Sequence, residues 1–182
     1  MVVPSDRRTV WLIDPKHTLV EFAVSYLAFT TVKGHFAGVS GTIRADEADP
    51  AAASVEVEID AASLDTREAR RDTHLRSADF LDVERYPVLT FTSTGVEPLG
   101  GGRMRVRGDL TVRGTTRAVV LDAELKGRGR NPQGLEVVGL AARTAIDRRD
   151  FGLVWNQPLE TGGLLVGEEV AVQLEVQAIR QD

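Results

Sequence analysis

The feature that most constrains this chain is a strict alternation of apolar and polar residues in several long runs. The segments VEVEI (residues 55–59), MRVRGDLTV (residues 104–112) and VAVQLEVQAI (residues 170–179) place an apolar or small residue at every second position. Because successive side chains of a β-strand point to opposite faces, this period puts one face on an apolar interior and the other in water. The pattern predicts an all-β protein built from long strands.

Short turn-forming segments separate these runs. GGG (residues 100–102) and RGTT (residues 113–116) each join two predicted strands, and GRGRNPQG (residues 127–134) makes a longer hairpin connection. Strands joined by such short loops pair antiparallel. About eight of them, with no crossover helices, predict an antiparallel eight-stranded β-barrel, with a sandwich as the alternative. All-β folds of this length often form one domain, so we assign residues 1–182 to a single one.

One charged stretch, RRDTHLRSADFLDVERYP (residues 70–87), interrupts the strand pattern. Asp65 and Glu68 have the spacing of a variant helix capping box, and the residues that follow are good helix formers. Pro87 then prevents a helix from continuing. We predict a short helical insertion at about residues 65–82, with one helix of two or three turns and a shorter second one. It is expected to pack against the barrel wall or to close one end.

The composition excludes several classes of function. The 182 residues carry a net charge of −5 and include no cysteine. Such a chain lacks the basic footprint of a nucleic-acid-binding protein, and it can form neither disulfides nor thiolate sites. Its first residues show no apolar stretch of a secretory signal, and no window approaches the roughly 18 apolar residues of a membrane span. We therefore expect a cytoplasmic protein with no nucleic-acid partner.

Asp72 and His74 are the first candidates for catalytic chemistry, as an acid–base pair. They are two residues apart, so on a helix they would point to different faces. Nucleophilic catalysis needs a serine or cysteine beside a base, and neither a cysteine nor a GxSxG elbow occurs. His17, His35 and His74 match no compact metal-binding motif, and glycine-rich phosphate loops are absent. We interpret Asp72 and His74 as residues that pin the insertion, and expect no catalytic residue, metal or cofactor.

Aromatic residues occur at several of the predicted strand positions. Phe22, Phe36, Phe91 and Phe151 occupy such positions, and Trp155 lies close by. In an eight-stranded barrel the inward-facing side chains either fill the interior or line a cavity for one small ligand. The mixture of small and large residues on the inward face is compatible with both. The residue pattern therefore leaves a filled core and a ligand cavity open as alternatives.

Several segments resemble, in their order along the chain, the YceI-like family of polyisoprenoid-binding proteins. The most specific is RDTHLRSADFLDVERYPVLTFTST (residues 71–94), followed by GDLTVRGTTR (residues 108–117). DPKHTLVEFAV, VKGHFAGVSGTI and DRRDFGL add to the resemblance, which runs from about Thr9 to Ala178. It implies a lipocalin-like antiparallel barrel with an elongated apolar tunnel.

The resemblance also implies a function, which is non-catalytic binding, carriage or storage of a long-chain amphipathic lipid. A polyisoprenoid or an isoprenoid quinone is the expected ligand, transport or stress response the expected role, and a homodimer the expected assembly. Six aromatic residues are expected to line the cavity or its mouth: Phe22, Tyr26, Phe36, Phe91, Phe151 and Trp155. Three residues are expected to contact the head group: Arg71, His74 and Arg76.

The sequence departs from the family pattern at Tyr26. Members commonly carry histidine in an F-x-V-x-H strand, whereas this chain has FAVSYL. A neutral phenol there replaces a titratable imidazole, which weakens the expectation of a pyrophosphate head group. The expected absence of a signal peptide is a second departure, since many members are exported. Two other functions stay open: a small-lipid enzyme that uses Asp72 and His74 as an acid–base pair, and a structural or interaction barrel with a filled core.

Overall fold

A computed structural model describes residues 7–182, which form eleven β-strands, one α-helix and four short 3₁₀ turns. The helix, α1 (Ala69–Arg76), lies between the sixth and seventh strands. The strands are β1 (Thr9–Ile13), β2 (Leu19–Tyr26), β3 (Thr30–Phe36), β4 (Val39–Ala45), β5 (Ser54–Asp60), β6 (Leu64–Asp65), β7 (Val88–Gly100), β8 (Arg103–Val112), β9 (Thr115–Arg130), β10 (Glu136–Asp147) and β11 (Val166–Arg180). The 3₁₀ turns are Pro15–His17, Pro50–Ala52, Ala61–Ser63 and Arg148–Phe151.

These strands close into an antiparallel barrel of eight long strands, which we call staves, because three of the eight are each made of two shorter strands. β1 and β2 both pair with β11 and form the two halves of one long strand. β3 and β4 form the next long strand, because they pair with β2 and β1 respectively. β5 and β6 form the third, because they pair with β4 and β3 respectively. Every stave pairs with the one that follows it in the chain. Trp11 opposite Arg180, and Phe22 opposite Val172, close the first stave onto the last. The predicted eight-stranded up-and-down barrel is therefore confirmed.

The barrel interior contains two separate clusters of buried apolar residues. The larger one includes Phe36, Leu89 and Phe151, and lies at the end where α1 crosses the barrel. The smaller one consists of Trp11, Val138 and Ala178, with partly buried neighbours, towards the opposite end. Alternation along each strand supplies both, since the inward positions are apolar at either end of the staves.

The helical insertion is present, but it is shorter than the sequence predicts. Glu68 caps α1, because its carboxylate accepts two backbone amides of the first turn at 3.2 and 2.6 Å. Asp65 instead accepts the backbone amide of Arg67, so the predicted Asp65–Glu68 capping box does not form. The predicted second helix is also absent from this segment. There, the amides of Phe80 and Asp82 both turn back to the carbonyl oxygen of Ser77.

Candidate functional site

An apolar cavity of about 460 Å³ lies inside the barrel, bounded on one side by α1. Inward-facing aliphatic side chains from four strands form much of its wall, including Val24 on β2, Leu110 on β8, Ile146 on β10 and Val172 on β11. Small-molecule sites in proteins commonly measure about 300–1,000 Å³ and are mostly apolar. The inner face at this end of the barrel is thus hollow rather than filled.

Two phenylalanines shape the wall formed by β2 and β3. The rings of Phe22 and Phe36 lie 5.6 Å apart between centroids, and both line the cavity. Phe22 is paired across the strands with Gly34, which has no side chain to oppose the ring. A Cβ atom at Gly34 would collide with the Phe22 ring. The glycine therefore determines where this aromatic wall stands.

A cluster of three aromatic rings, two from the insertion and one from the loop before β11, forms another part of the wall. His74 lies 4.6 Å from Trp155 and 5.1 Å from Phe80, both edge-to-face, and Phe80 lies 5.5 Å from Trp155. All three residues line the cavity. The His74 Nε2 atom is 2.8 Å from the carboxylate of Asp79. His74 therefore presents a ring to the cavity and directs one nitrogen to an exposed acid.

Charged residues of α1 fasten the helix to the segment that precedes it. Asp72 is buried, and its carboxylate accepts the amide of Thr66 at 2.9 Å and the hydroxyl of Thr66 at 2.5 Å. Arg71 donates to the hydroxyl and the carbonyl oxygen of the same threonine, at 2.8 and 2.7 Å. Arg76 donates to the carbonyl oxygens of Ala62 and Leu64. Much of the charge in this stretch holds the helix in place.

Arg148 is a cavity-lining residue that sequence reasoning did not identify. Its side chain is 5% exposed, and it donates to the carbonyl oxygens of Leu153, Trp155, Val166 and Gly167 at 2.7–3.3 Å. Burial lowers the pKa of the guanidinium from its ordinary value. The sequence did contain a signal for this position, because the strand alternation that turns Ile146 inward also places residue 148 on the inward face.

The residues on either side of Arg148 hold its turn in place. Asp147 accepts the backbone amide of Arg149 at 2.9 Å, and its side chain binds the Arg149 guanidinium at 2.6 Å. These hydrogen bonds lower the pKa of Asp147 to about 2. Arg149 also reaches Glu168 at 3.1 Å, and the hydrogen bond to Asp147 raises the pKa of Arg149. The nearby carboxylates thus bind Arg149, while Arg148 has carbonyl partners.

The structure places most of the residues expected at the site around the cavity. Lining positions are occupied by Phe22, Tyr26, Phe36, Arg71, His74, Phe151 and Trp155. Phe91 is buried on the inner face of β7, but it does not line the cavity and its ring lies against Gly108. Arg76 is likewise absent from the lining, because it binds the carbonyl oxygens of the preceding segment.

The geometry does not assemble the acid–base pair considered from the sequence. Asp72 binds Thr66 and is not a lining residue, whereas His74 lines the cavity and binds Asp79. The two side chains therefore have separate partners. Within residues 7–182, no group of three or more histidines and acidic residues is arranged to hold a metal ion.

Among the helices of residues 7–182, none has the length and apolar character needed to cross a membrane.

Comparisons with known proteins place the chain in a family. Residues 11–178 match the model of the YceI-like domain. A UPF0312 protein of Vibrio cholerae is 41% identical over 145 residues, which are 79% of this chain and 77% of that protein. Crystalline BcnA of Burkholderia cenocepacia has the same fold, with a TM-score of 0.80 and 23% identity over 91% of this chain and 98% of that one.

A second solved structure with this fold comes from Saccharophagus degradans. It is a polyisoprenoid binding domain implicated in plant cell wall breakdown, with a TM-score of 0.70 and 17% identity. The match covers 94% of this chain and 98% of that domain. The family model spans nearly the whole of the barrel described above, from β1 to β11. This protein is a member of the YceI-like family.

Proposed function

We propose that this protein binds a long-chain amphipathic lipid, either a polyisoprenoid or an isoprenoid quinone, and carries or stores it without chemical change. The observation that carries the proposal is the apolar cavity of about 460 Å³ inside the barrel. The polyisoprenoid binding domain that shares the fold supports the choice of ligand class. The same fold with a filled interior would not support it.

The wall of the cavity suits a hydrocarbon tail. Along β2 alone, lining residues extend from Val20 to Tyr26, six steps that correspond to about 20 Å of strand. Each Å² of apolar surface that a tail buries against this wall contributes roughly 25 cal/mol to binding. A branched or unsaturated tail can therefore be held by contact area, with few polar interactions.

A small set of hydrogen-bond donors is available for the polar head. Arg71 and His74 line the cavity and carry N–H groups, and the phenol of Tyr26 lines it as well. Carbonyl or phosphate oxygens of a head group are acceptors that these donors suit. We place the head beside this set. Arg76, which we expected to share this role, is assigned to anchoring the helix.

The same geometry supports carriage without catalysis. An acid–base mechanism needs two groups that reach the same reacting atoms. Asp72 is instead buried against Thr66, and His74 is part of an aromatic wall. We therefore assign the cavity to binding and the charged residues of α1 chiefly to the architecture that shapes it.

Native mass spectrometry of protein purified from its own host tests the proposal, followed by solvent extraction and identification of any lipid. A stoichiometric co-purifying mass with a long apolar tail is the expected result. Val172→Trp puts a large ring into the cavity, since Val172 is a lining residue, and should abolish the bound mass. Ala171→Trp is the matched control, because Ala171 is exposed on the outer face of the same strand.

Both variants are first checked for cooperative thermal unfolding, so that loss of lipid is not confused with loss of fold. Equal lipid in Val172→Trp and in wild type would show that the ligand lies elsewhere. A wild-type protein that neither co-purifies with lipid nor takes up a polyprenol or quinone from detergent solution would contradict the proposal itself.

A further inference from the structure

The hairpin that joins β2 to β3 ends in an exposed apolar tip, which the binding cavity does not require. Phe29 is 81% exposed, more than any other large apolar side chain in residues 7–182. Leu27 and Ala28 precede it in the same three-residue loop. A single exposed apolar residue is ordinary on a protein surface, so this tip indicates a contact only together with exposed apolar neighbours.

The backbone of this loop strengthens the point. Leu27 has a φ of 54° and Ala28 a φ of 65°, both in the left-handed region. That region costs most residues with a Cβ atom about 1–2 kcal/mol, and hairpin turns normally place Asn, Asp or Gly there. The loop instead carries two apolar residues, although polar ones would form the turn more easily. Folding of the turn does not explain its composition.

A second apolar segment lies beside the tip. The backbone amide of Leu27 donates to the carbonyl oxygen of Leu165 at 2.9 Å, which brings the neighbouring Leu164 close to the hairpin loop. Leu164 is 45% exposed, and Val154 is 65% exposed on an irregular segment held to Val166 through Asn156. We call Leu27, Phe29, Val154 and Leu164 the apolar rim.

The apolar rim is continuous with the cavity. Tyr26 and Leu165, which adjoin rim residues along the chain, both line the cavity, and so do the two residues that flank Val154. A ligand that leaves the cavity at this end passes directly onto the exposed apolar side chains. The rim therefore stands where a lipid would enter or leave.

The charged residues near the rim include one cation that suits a lipid phosphate. Arg70 lines the cavity and is exposed, and its guanidinium makes no hydrogen bond or ion pair with any described residue. Lys33 on β3 and Arg67 before α1 are exposed cations at the same end of the barrel. Glu160 is an exposed acid in the loop that precedes Leu164. Glu68 is a second exposed acid beside these cations, and Glu21 lines the cavity, so the charges here are mixed and Arg70 is the cation placed for a lipid phosphate.

We propose that the apolar rim docks the protein on a phospholipid bilayer, with Phe29 inserted at the interface and Arg70 near the phosphates, so that the cavity opens onto the membrane. Aromatic and aliphatic side chains on a protruding loop, beside basic residues, are the combination that binds bilayer interfaces. The purpose of this docking rests on the proposed function, because it supplies the route for a lipid between bilayer and cavity.

Co-sedimentation with vesicles made of equal parts phosphatidylcholine and phosphatidylglycerol tests the inference. We expect wild-type protein to bind, and Phe29→Ser and Leu164→Ser each to weaken binding about tenfold. Leu135→Ser is the matched control, because Leu135 is 47% exposed in the β9–β10 hairpin at the opposite end of the barrel. It should bind as wild type does. Arg70→Gln should weaken binding to these vesicles.

The outcomes separate this inference from the proposed function. Native mass spectrometry on the same variants should show cavity lipid retained in Phe29→Ser. Vesicle binding that is absent in wild type, or that Leu135→Ser weakens as much as Leu164→Ser does, overturns the docking while leaving lipid binding intact. Light scattering could instead show a wild-type dimer that Phe29→Ser converts to a monomer, with no vesicle binding by wild type or variant. That result would show that a second copy covers the rim, and it would also overturn the docking. Rim-dependent vesicle binding by a protein with an empty cavity would support docking alone.

Discussion

Replacing Gly34 with alanine should narrow the cavity and destabilise the barrel together. Gly34 faces inward on β3, directly opposite Phe22. The added methyl group would collide with the Phe22 ring and lie 2.8 Å from Cγ2 of Thr66. Thr66 cannot retreat easily, because Asp72 and Arg71 hold it by hydrogen bonds. Phe22 must therefore tilt, and the open space beside it is the cavity that it lines.

The magnitude follows from this geometry. Overpacking that displaces a buried side chain commonly costs about 1–3 kcal/mol. For a chain of this length, each kcal/mol lowers Tm by roughly 2–4 °C. The displaced ring also occupies volume that a lipid tail would fill, so the amount of retained lipid should fall with stability. Phe22→Leu in the Gly34→Ala background should recover part of both losses, because the shorter side chain leaves room for the methyl group.

Gly139→Ala is the matched control for this experiment. Gly139 lies in β10 with no atom closer than 3.9 Å to an added Cβ, and its φ is not in the left-handed region. That change should be neutral, or stabilise by up to about 1 kcal/mol, since glycine in a strand interior is unfavourable. Thermal unfolding and native mass spectrometry are compared for both variants. If Gly34→Ala has the same Tm as Gly139→Ala and retains as much lipid, the proposed contact between Gly34 and Phe22 does not limit the cavity.

Two further changes test the anchoring of the site. Asp72→Ala removes a buried carboxylate that accepts two hydrogen bonds from Thr66. Urea titration should show that the free energy of unfolding falls by about 3 kcal/mol. An equal effect of Asp79→Ala, which removes an exposed carboxylate, would contradict the reasoning. Asp147 has its pKa lowered from 3.8 to about 2, so its ionised form stabilises the fold above pH 3.8 and this contribution is lost as the pH falls through about 2. The stability difference between wild type and Asp147→Asn should therefore be constant near neutrality and shrink between pH 3.8 and about 2; a difference that persists unchanged at pH 2 would refute it.

The strands were predictable because their signal is local. The alternation in residues 55–59, 104–112 and 170–179 reports which side chains face inward, and β5, β8 and β11 contain these runs. Short turn segments then fixed the antiparallel order, since each stave pairs with its neighbour in the chain. The insertion was located correctly, but its cap and its end were not. Asp65 and Glu68 are both plausible caps in sequence, and only their backbone partners in the fold distinguish them.

The site was predictable only in part, because similar residues at similar positions end in different surroundings. Phe36 and Phe91 both face the barrel interior from a strand, yet Phe36 lines the cavity whereas Phe91 packs over Gly108. Arg71 and Arg76 lie on one short helix, yet only Arg71 reaches the cavity wall. Arg148 was missed because charged residues at a strand end usually face water.

By itself, the sequence determined the class of fold, the inward face of the strictly alternating strands, the site of the insertion and the family. These follow from periodicity and motif spacing, which depend on neighbours along the chain. Only the tertiary structure decided whether the barrel is hollow, since that depends on how far side chains from opposite walls extend towards one another. It also decided that Arg148 donates to four carbonyl oxygens, two in the loop that follows it and two on β11, and that Phe29 projects near Leu164 at the cavity end. Contacts between residues far apart in the chain leave no periodic trace in the sequence, so their outcome appears only in the folded protein.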